Sequence, residues 1–173
     1  MVYGFFGLVV LVPFIRNFGR SLGFGGNGSS ILTASLLLGI MILPTIIGVT
    51  ESSLRAVPVH YYEGALALGA TRERSIFRVI LPAAKSGVVT GVVLGIGRAV
   101  GETMAVIMVA GNQARMPNGL FKGVRTLTAN IVIEMGYAAE LHREALIATG
   151  VVLFVLILAL NAVVALLKRK EQA

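Results

Sequence analysis

Four long apolar runs constrain this chain more than any other feature of its sequence. They cover residues 1–15, 30–49, 86–110 and 145–167 of 173. The mean hydropathy is +0.87, and only 13% of the residues are charged. Because a helix needs about 20 residues to cross the hydrocarbon core of a bilayer, runs of this length are typical of membrane spans. The composition excludes an ordinary soluble domain and predicts an all-α integral membrane protein with about four transmembrane helices.

The residue types present exclude several kinds of chemistry. The chain has no cysteine and no aspartate, and its two histidines, His60 and His142, are far apart in the sequence. Disulfides, thiolate ligands and paired aspartates are therefore excluded, and we expect no metal and no other cofactor. A net charge of +7 would favour nucleic acid as the partner of a soluble protein. In a membrane protein it fits anchoring by Lys and Arg, or attraction of an anionic substrate, so no nucleic-acid partner is expected.

Basic residues at the end of the chain predict its orientation. The cluster Lys168-Arg169-Lys170 directly follows the fourth run and is typical of a cytoplasmic end. Counting back through four spans makes residues 50–85 a cytoplasmic loop. The first run lacks the basic start of a signal peptide and has Arg16 at its end. We interpret it as the remainder of a span whose upstream part is missing, and we expect the chain to be a fragment, a split product or a truncated one.

The loop at residues 50–85 is polar and has the pattern of two short helices. The first is predicted from Tyr61 to Leu68, with a corner at Gly69. Thr71 is the expected N-cap of the second helix, which Pro82 should end. The loop's apolar residues have too little of their own chain to be buried against. Two interpretations follow: a knob that fits a partner's groove, or an amphipathic hairpin on the membrane surface.

Two charged residues, Arg98 and Glu102, lie inside the third run. A charge at mid-bilayer costs about 2.5–3.5 kcal/mol on insertion scales, so such residues usually face protein or water. On one continuous helix, at about 100° per residue, both would share a face with Gly87, Gly91 and Gly95. We expect Gly91, Gly95, Arg98 and Glu102 to line a substrate pathway. The planar guanidinium suits an oxyanion, and the carboxylate one turn away would share its charge. The alternative is a neutralised ion pair that only holds helices together.

Residues 111–143 form the segment between the third and fourth runs. The part TLTANIVIEMGYA has roughly helical spacing and predicts a short re-entrant or surface helix. On the predicted topology this segment lies outside the cell. Lys122 and Arg125 would then steer an anion, meet a delivery protein, or simply be solvated.

The cytoplasmic loop carries a recognisable spacing of residues. It resembles the loop by which the permeases of ABC importers bind their ATP-hydrolysing subunit. The matching residues are Glu63-Gly64-Ala65, then Gly69, then Leu81-Pro82. The departures are Gly64, where the pattern has Ala, and Val79, where Ile is more usual.

The stretch GRAVGETMAVIMVAGN, residues 97–112, is similar to the PstC-like permeases of the phosphate-specific ABC importer, a type I ABC permease family. The resemblance implies a multi-pass protein of a bacterial or archaeal inner membrane. Two permeases would form the phosphate pathway, with an ATP-binding subunit on the cytoplasmic loop and a phosphate-binding protein outside. Arg98 and Glu102 would match the family's charged pair along the path. Glu63, Gly69 and Pro82 would match its ATPase-docking residues.

On this resemblance residues 1–173 are one ABC-permease transmembrane domain, the C-terminal portion of a protein with about six spans. No GxxxxGK[ST] sequence occurs, so the chain is not expected to be an enzyme, and ATP hydrolysis is expected in a partner chain. A permease for sulfate or molybdate, or a fragment that does not transport, remains an alternative. An intramembrane enzyme that uses Glu102 would need a neighbouring His, Asp or nucleophilic Ser, which the sequence does not place there.

Overall fold

The computed structural model describes residues 2–23 and 25–172, apart from the side chains of residues 163, 164 and 166–172. The side chains of the basic cluster Lys168–Lys170, on which the predicted orientation partly rests, therefore lie outside the described part. Eight helices cover most of the described residues, and the only β pairing among them is an isolated bridge between Gly111 and Val124. The helices are α1 Val2–Ser21, α2 Ile31–Arg55, α3 Val59–Ala67, α4 Arg72–Ala83, α5 Lys85–Gly101, α6 Met104–Val109, α7 Leu127–Glu134 and α8 Glu140–Gln172.

Three of these helices are long and apolar enough to cross a membrane: α1, α2 and the part of α8 from Glu140 to Ala162. Helices α4 and α5 pass the same test only as a pair, which is bent by 69°. The all-α membrane fold predicted from the sequence is confirmed. The helices extend beyond the apolar runs, because α1 continues to Ser21 and α2 continues to Arg55.

The third apolar run is not the single helix that the sequence predicted. Helix α5 ends at Gly101, α6 begins at Met104, and Glu102 and Thr103 lie between them outside both helices. Gly97 and Gly101 each lower the helix propensity here. Glu102 then uses its side chain to cap the next helix, as described below. The prediction that Arg98 and Glu102 stand one turn apart on one helix is therefore wrong.

Both π-helical turns in the described residues end two positions before a proline. In α1 the turn Gly7–Leu11 places the Val12 N–H on the Gly7 carbonyl, and Pro13 follows. In α4 the turn Ile76–Ile80 does the same before Pro82. A proline ring clashes with the carbonyl four residues earlier in a regular helix, and a widened turn relieves that clash. Pro82 therefore does not end its helix as predicted, and α4 continues to Ala83.

The chain divides into two compact units, Met1–Met41 with Ala99–Ala159, and Ile42–Arg98 with Leu160–Ala173. In the first unit α1 packs closely on α6, since a Cβ added at Gly4 would lie 2.9 Å from the Ala105 Cα. The buried core of this unit comes from α1, the first half of α2, and α6 with the residue that follows it. Its members are Val12, Ala34, Leu37, Ala105, Val106, Val109 and Ala110.

Residues 111–125, here termed the strap, cover the beginning of α2 in the first unit. The first backbone N–H groups of a helix have no partner within the helix. Here the Ile31 N–H donates to the Lys122 carbonyl at 3.1 Å, and the Leu32 N–H donates to the Leu120 carbonyl at 3.0 Å. The strap thus supplies the acceptors that the start of α2 requires.

Candidate functional site

Arg98 lies in the last turn of α5 and is exposed. Its Nη1 donates to the Thr45 Oγ1 of α2 at 3.5 Å, the upper limit of hydrogen-bond length. A cation is also favoured by the dipole at a helix C-terminus. One long bond to a hydroxyl uses only one of the five N–H donors of a guanidinium. The side chain therefore has donors for an anionic ligand.

Glu102 caps the short helix α6. Its Oε1 accepts a hydrogen bond from the Ala105 N–H at 3.1 Å. A side-chain acceptor that satisfies a free N–H in the first turn stabilises a helix, and the negative charge is favoured at that end. The carboxylate thus has a structural role that the sequence analysis did not predict.

Glu102 also lines a cavity of about 310 Å³ within the first unit. The wall is mainly apolar, with hydroxyl groups from α2 and α7 and the Glu102 carboxylate as its polar parts. Lining residues include Ser35, Glu102, Val106, Thr126, Thr128 and Leu153. The negative charge of this carboxylate repels anions, so an anion pathway through the cavity would need a positive charge nearby.

Two glycines of the third run, Gly91 and Gly95, pack against α2 in the second unit. Gly91 and Gly95 are both buried. A Cβ at Gly95 would lie 2.8 Å from the Ile46 Cγ1, and one at Gly91 would lie 3.3 Å from the Ile46 carbonyl oxygen. Small residues at a helix contact let two backbones approach closely. This packing explains both glycines without a substrate, and their place along the pathway stays a prediction.

The loop at residues 50–85 has the corner that the sequence predicted. Gly69 has a φ of +83°, in the left-handed region where glycine is favoured. The Thr71 Oγ1 accepts a hydrogen bond from the Arg74 N–H at 3.3 Å, so Thr71 is the N-cap of α4. Glu63 and Gly64 lie on α3 and are exposed, and a Cβ at Gly64 would touch nothing within 4 Å. The absence of the usual Ala at position 64 therefore has no steric cause within the described residues.

Large apolar side chains on this loop are exposed. Leu68 is 91% exposed, Phe77 is 67% exposed and Val59 is 66% exposed. Leu81 and Pro82 are exposed as well, and Ala65 is half-buried. An exposed apolar surface of this kind is typical of a site that another molecule covers.

A charge cluster around Arg125 was missed by the sequence analysis. The Arg125 Nη1 donates to the Glu134 Oε1 at 2.6 Å and to the Asn130 Oδ1 at 3.3 Å, and its Nε donates to the Asn112 carbonyl at 3.1 Å. The Arg125 and Glu134 side chains are only 23% and 17% exposed. Arg125 is therefore paired and mostly covered, whereas the sequence analysis considered a solvated charge or one free to meet an anion. The nine-residue separation gives no periodic signal that would have found the pair.

The electrostatics of the cluster favour an ionised Glu134. The hydrogen bond from Arg125 lowers the pKa of the Glu134 carboxyl from its usual value, although desolvation opposes this effect. A hydrogen bond with Tyr137 lowers the pKa further. The His142 Nε2 lies 3.6 Å from the Glu134 Oε2. Glu134 thus links the strap to the end of α7 and the start of α8.

Comparison with known proteins identifies the class to which the chain belongs. Residues 1–172 match the family described as "Binding-protein-dependent transport system inner membrane component", and the chain is a member of that family. No solved structure matches the chain.

Several relatives are more specific. The chain is 42% identical to the "Probable ABC transporter permease protein YqgH" of Bacillus subtilis, over 90% of this chain and 50% of that protein. It is 37% identical to the "Phosphate transport system permease protein PstC" of Haemophilus influenzae, over 90% of this chain and 54% of that protein. The PstC protein of Xylella fastidiosa strain Temecula1 is 35% identical, over 99% of this chain and 59% of that protein. The chain thus spans between half and three fifths of the length of these relatives.

Proposed function

We propose that this chain is the membrane permease part of an ATP-driven importer and forms part of the pathway for inorganic phosphate. The observation that carries the proposal is the similarity, over 90% or more of the chain, to proteins named phosphate transport permeases. The family supplies the membrane component of binding-protein-dependent transport. The partners would be an ATP-binding subunit, a second permease subunit and an extracytoplasmic phosphate-binding protein, within the inner membrane.

Arg98 is the residue that we assign to the anion. Its exposed guanidinium makes one long bond to Thr45 and keeps donors for two phosphate oxygens. Arg stays charged at any relevant pH and binds oxyanions in a bidentate manner. Because conduction requires weak binding, Arg98 would have to hold the anion loosely. Arg98 would lower the barrier for the anion and release it again.

Glu102 has a different part in this proposal. Its Oε1 fixes the start of α6, and the residue lines the cavity of the first unit. The carboxylate would repel an anion from the apolar cavity. Gly91 and Gly95 would contribute by allowing the close contact of α5 with α2 rather than by touching phosphate.

The loop with α3 and α4 would bind the ATP-binding subunit. The supporting observations are the exposed Leu68 and Phe77 and the corner fixed by Gly69 and Thr71. A groove on the partner would cover the apolar side chains, as in helix-in-groove recognition. Glu63, Gly64, Ala65, Leu81 and Pro82 would belong to the same surface.

The pathway test measures ATP-driven phosphate uptake in vesicles that contain the assembled transporter. Arg98→Gln keeps hydrogen-bond donors and removes the charge, so uptake should collapse at a normal membrane level. Arg98→Lys should retain a small part of the activity because it loses the planar fork. Arg143→Gln, at an exposed position on α8, is the matched control and should transport normally. Normal uptake by Arg98→Gln would contradict the assignment.

The docking test measures co-purification of the ATP-binding subunit. The double variant Glu63→Lys, Gly69→Trp should stay in the membrane, lose the subunit and lose uptake. Arg143→Gln is the control, since that exposed position on α8 lies outside the loop. Recovery of the subunit at the wild-type yield with the double variant would contradict the docking proposal.

A permease for sulfate or molybdate is the second candidate. A guanidinium binds any tetrahedral oxyanion through the same pair of N–H donors, so Arg98 alone does not select phosphate. The relatives' names favour phosphate. Competition between the anions separates the two candidates.

A further inference from the structure

The Arg125–Glu134 pair lies at the two ends of α7. Arg125 directly precedes the N-cap Thr126, and Glu134 is the last residue of the helix. The helix dipole favours an anion at the N-terminus and a cation at the C-terminus, which is the opposite arrangement. Burying most of a charge pair also costs desolvation energy. The stability of α7 alone therefore does not account for this pair.

The position of Arg125 in the strap indicates what the pair holds. Its neighbours on both sides, Val124 and Thr126, line the cavity beside Glu102, as do Leu127 and Thr128. The Arg125 guanidinium itself bonds to the Asn112 carbonyl and to Glu134. One side chain thus joins the two ends of the strap to α7 along a wall of the cavity.

The neighbours of Arg125 in this wall are also held by hydrogen bonds. The Val124 N–H donates to the Ala110 carbonyl at 3.0 Å, and the Thr126 Oγ1 accepts from the Ala129 N–H at 3.2 Å. Arg125 lies between Val124 and Thr126, and its guanidinium adds the charged hydrogen bonds of this segment. Without the Arg125 side chain, the segment from Val124 to Thr128 would keep these bonds and the bond between the Thr126 and Thr128 hydroxyls, but it would lose its links to Asn112 and Glu134.

We infer that Arg125 is a positioning residue for the Glu102 cavity, because its bonds to Asn112 and Glu134 fix the cavity wall from Val124 to Thr128. Arg125 does not touch the substrate. This role concerns the cavity wall and does not depend on the proposed phosphate pathway. The wall and the pathway can therefore be tested separately.

The test uses a single cysteine as a reporter, because the natural chain contains no cysteine. Thr128→Cys places a thiol in the cavity wall of the assembled transporter, and the rate of maleimide labelling is measured. Adding Arg125→Gln should raise that rate by about tenfold, because a charged hydrogen bond that holds the wall is lost. Arg115→Gln is the control: it removes the same charge from the strap, where Arg115 bonds to Gln113, and it should leave the rate unchanged.

A charge exchange makes the test specific. Arg125→Glu combined with Glu134→Arg restores the ion pair but not the hydrogen bond to the Asn112 carbonyl, so it should return the labelling rate part of the way towards the wild-type value. An unchanged labelling rate in Arg125→Gln, or a charge exchange that labels as fast as Arg125→Gln, would overturn the inference. If Arg125→Gln does not reach the membrane, Arg125→Lys decides: faster labelling supports the inference and the wild-type rate overturns it. If labelling responds as expected while Arg98→Gln transports phosphate normally, the proposed pathway fails and the positioning role stands.

Discussion

The contact between α5 and α2 predicts a difference between two glycines on the same helix. A Cβ at Gly95 would lie 2.8 Å from the Ile46 Cγ1 and 2.9 Å from its Cδ1, whereas one at Gly97 would meet nothing within 4 Å. Replacing Gly by Ala within a helix gains about 1 kcal/mol of propensity. Overpacking costs about 1–3 kcal/mol. Gly95→Ala should therefore lower the free energy of unfolding by about 0–2 kcal/mol, while Gly97→Ala should raise it by about 1 kcal/mol.

The free energy of unfolding in mild detergent, titrated with a denaturing detergent, checks this prediction. Ile46→Ala removes both atoms that the new Cβ would approach. The double variant with Gly95→Ala should therefore be more stable than the sum of the two single changes predicts, and a double-mutant cycle measures that coupling. The reasoning is refuted if Gly95→Ala stabilises as much as Gly97→Ala, or if the cycle shows no coupling with Ile46.

Two further predictions concern single carboxylates. Glu102→Ala removes the cap of α6 and should cost about 0.5–2 kcal/mol of unfolding free energy. Glu102→Gln keeps an oxygen acceptor and should cost little. Equal losses of the two variants in the same detergent titration would exclude the capping role. The groups around Glu134 are Arg125, Tyr137 and His142, and its pKa is lowered mainly by the Arg125 hydrogen bond. A carboxyl whose pKa is lowered by folding stabilises the fold at a pH above its unfolded-state pKa of about 4.5. That stabilisation is lost as the pH falls through the folded-state pKa, so the melting temperature should drop below pH 4.5. The drop should be smaller in Glu134→Gln, and an identical drop in both proteins would contradict this.

Local signals were read correctly from the sequence. Gly69 has a positive φ, and Thr71 caps the helix after it, as the order of residues predicted. Both features depend on neighbours within a few residues, where glycine and threonine have distinct backbone preferences. The membrane fold followed from run length in the same way.

Long-range features could not be obtained from the same signals. The third apolar run looks continuous in the sequence. In the structure the helix breaks at Glu102, whose side chain accepts a hydrogen bond from the first turn of α6. Which helix covers Gly95 depends on the tertiary position of α2. The pairing of Arg125 with Glu134 joins the two ends of a helix and has no helical or strand period. The Glu102 cap is local, since Ala105 is three residues away, but the continuous apolar run concealed it. For Gly95 and Arg125 the partner is set by tertiary packing rather than by local preference.

The most direct test of the central claim is the anion selectivity of uptake. Vesicles with the assembled transporter, the phosphate-binding protein and ATP inside should accumulate labelled phosphate. Excess unlabelled phosphate should abolish the uptake of label, while equal excesses of sulfate or molybdate should leave most of it. Arg98→Gln should remove the ATP-dependent part. Uptake of labelled sulfate or molybdate that phosphate does not suppress, or no ATP-dependent uptake of phosphate at all, would contradict the account.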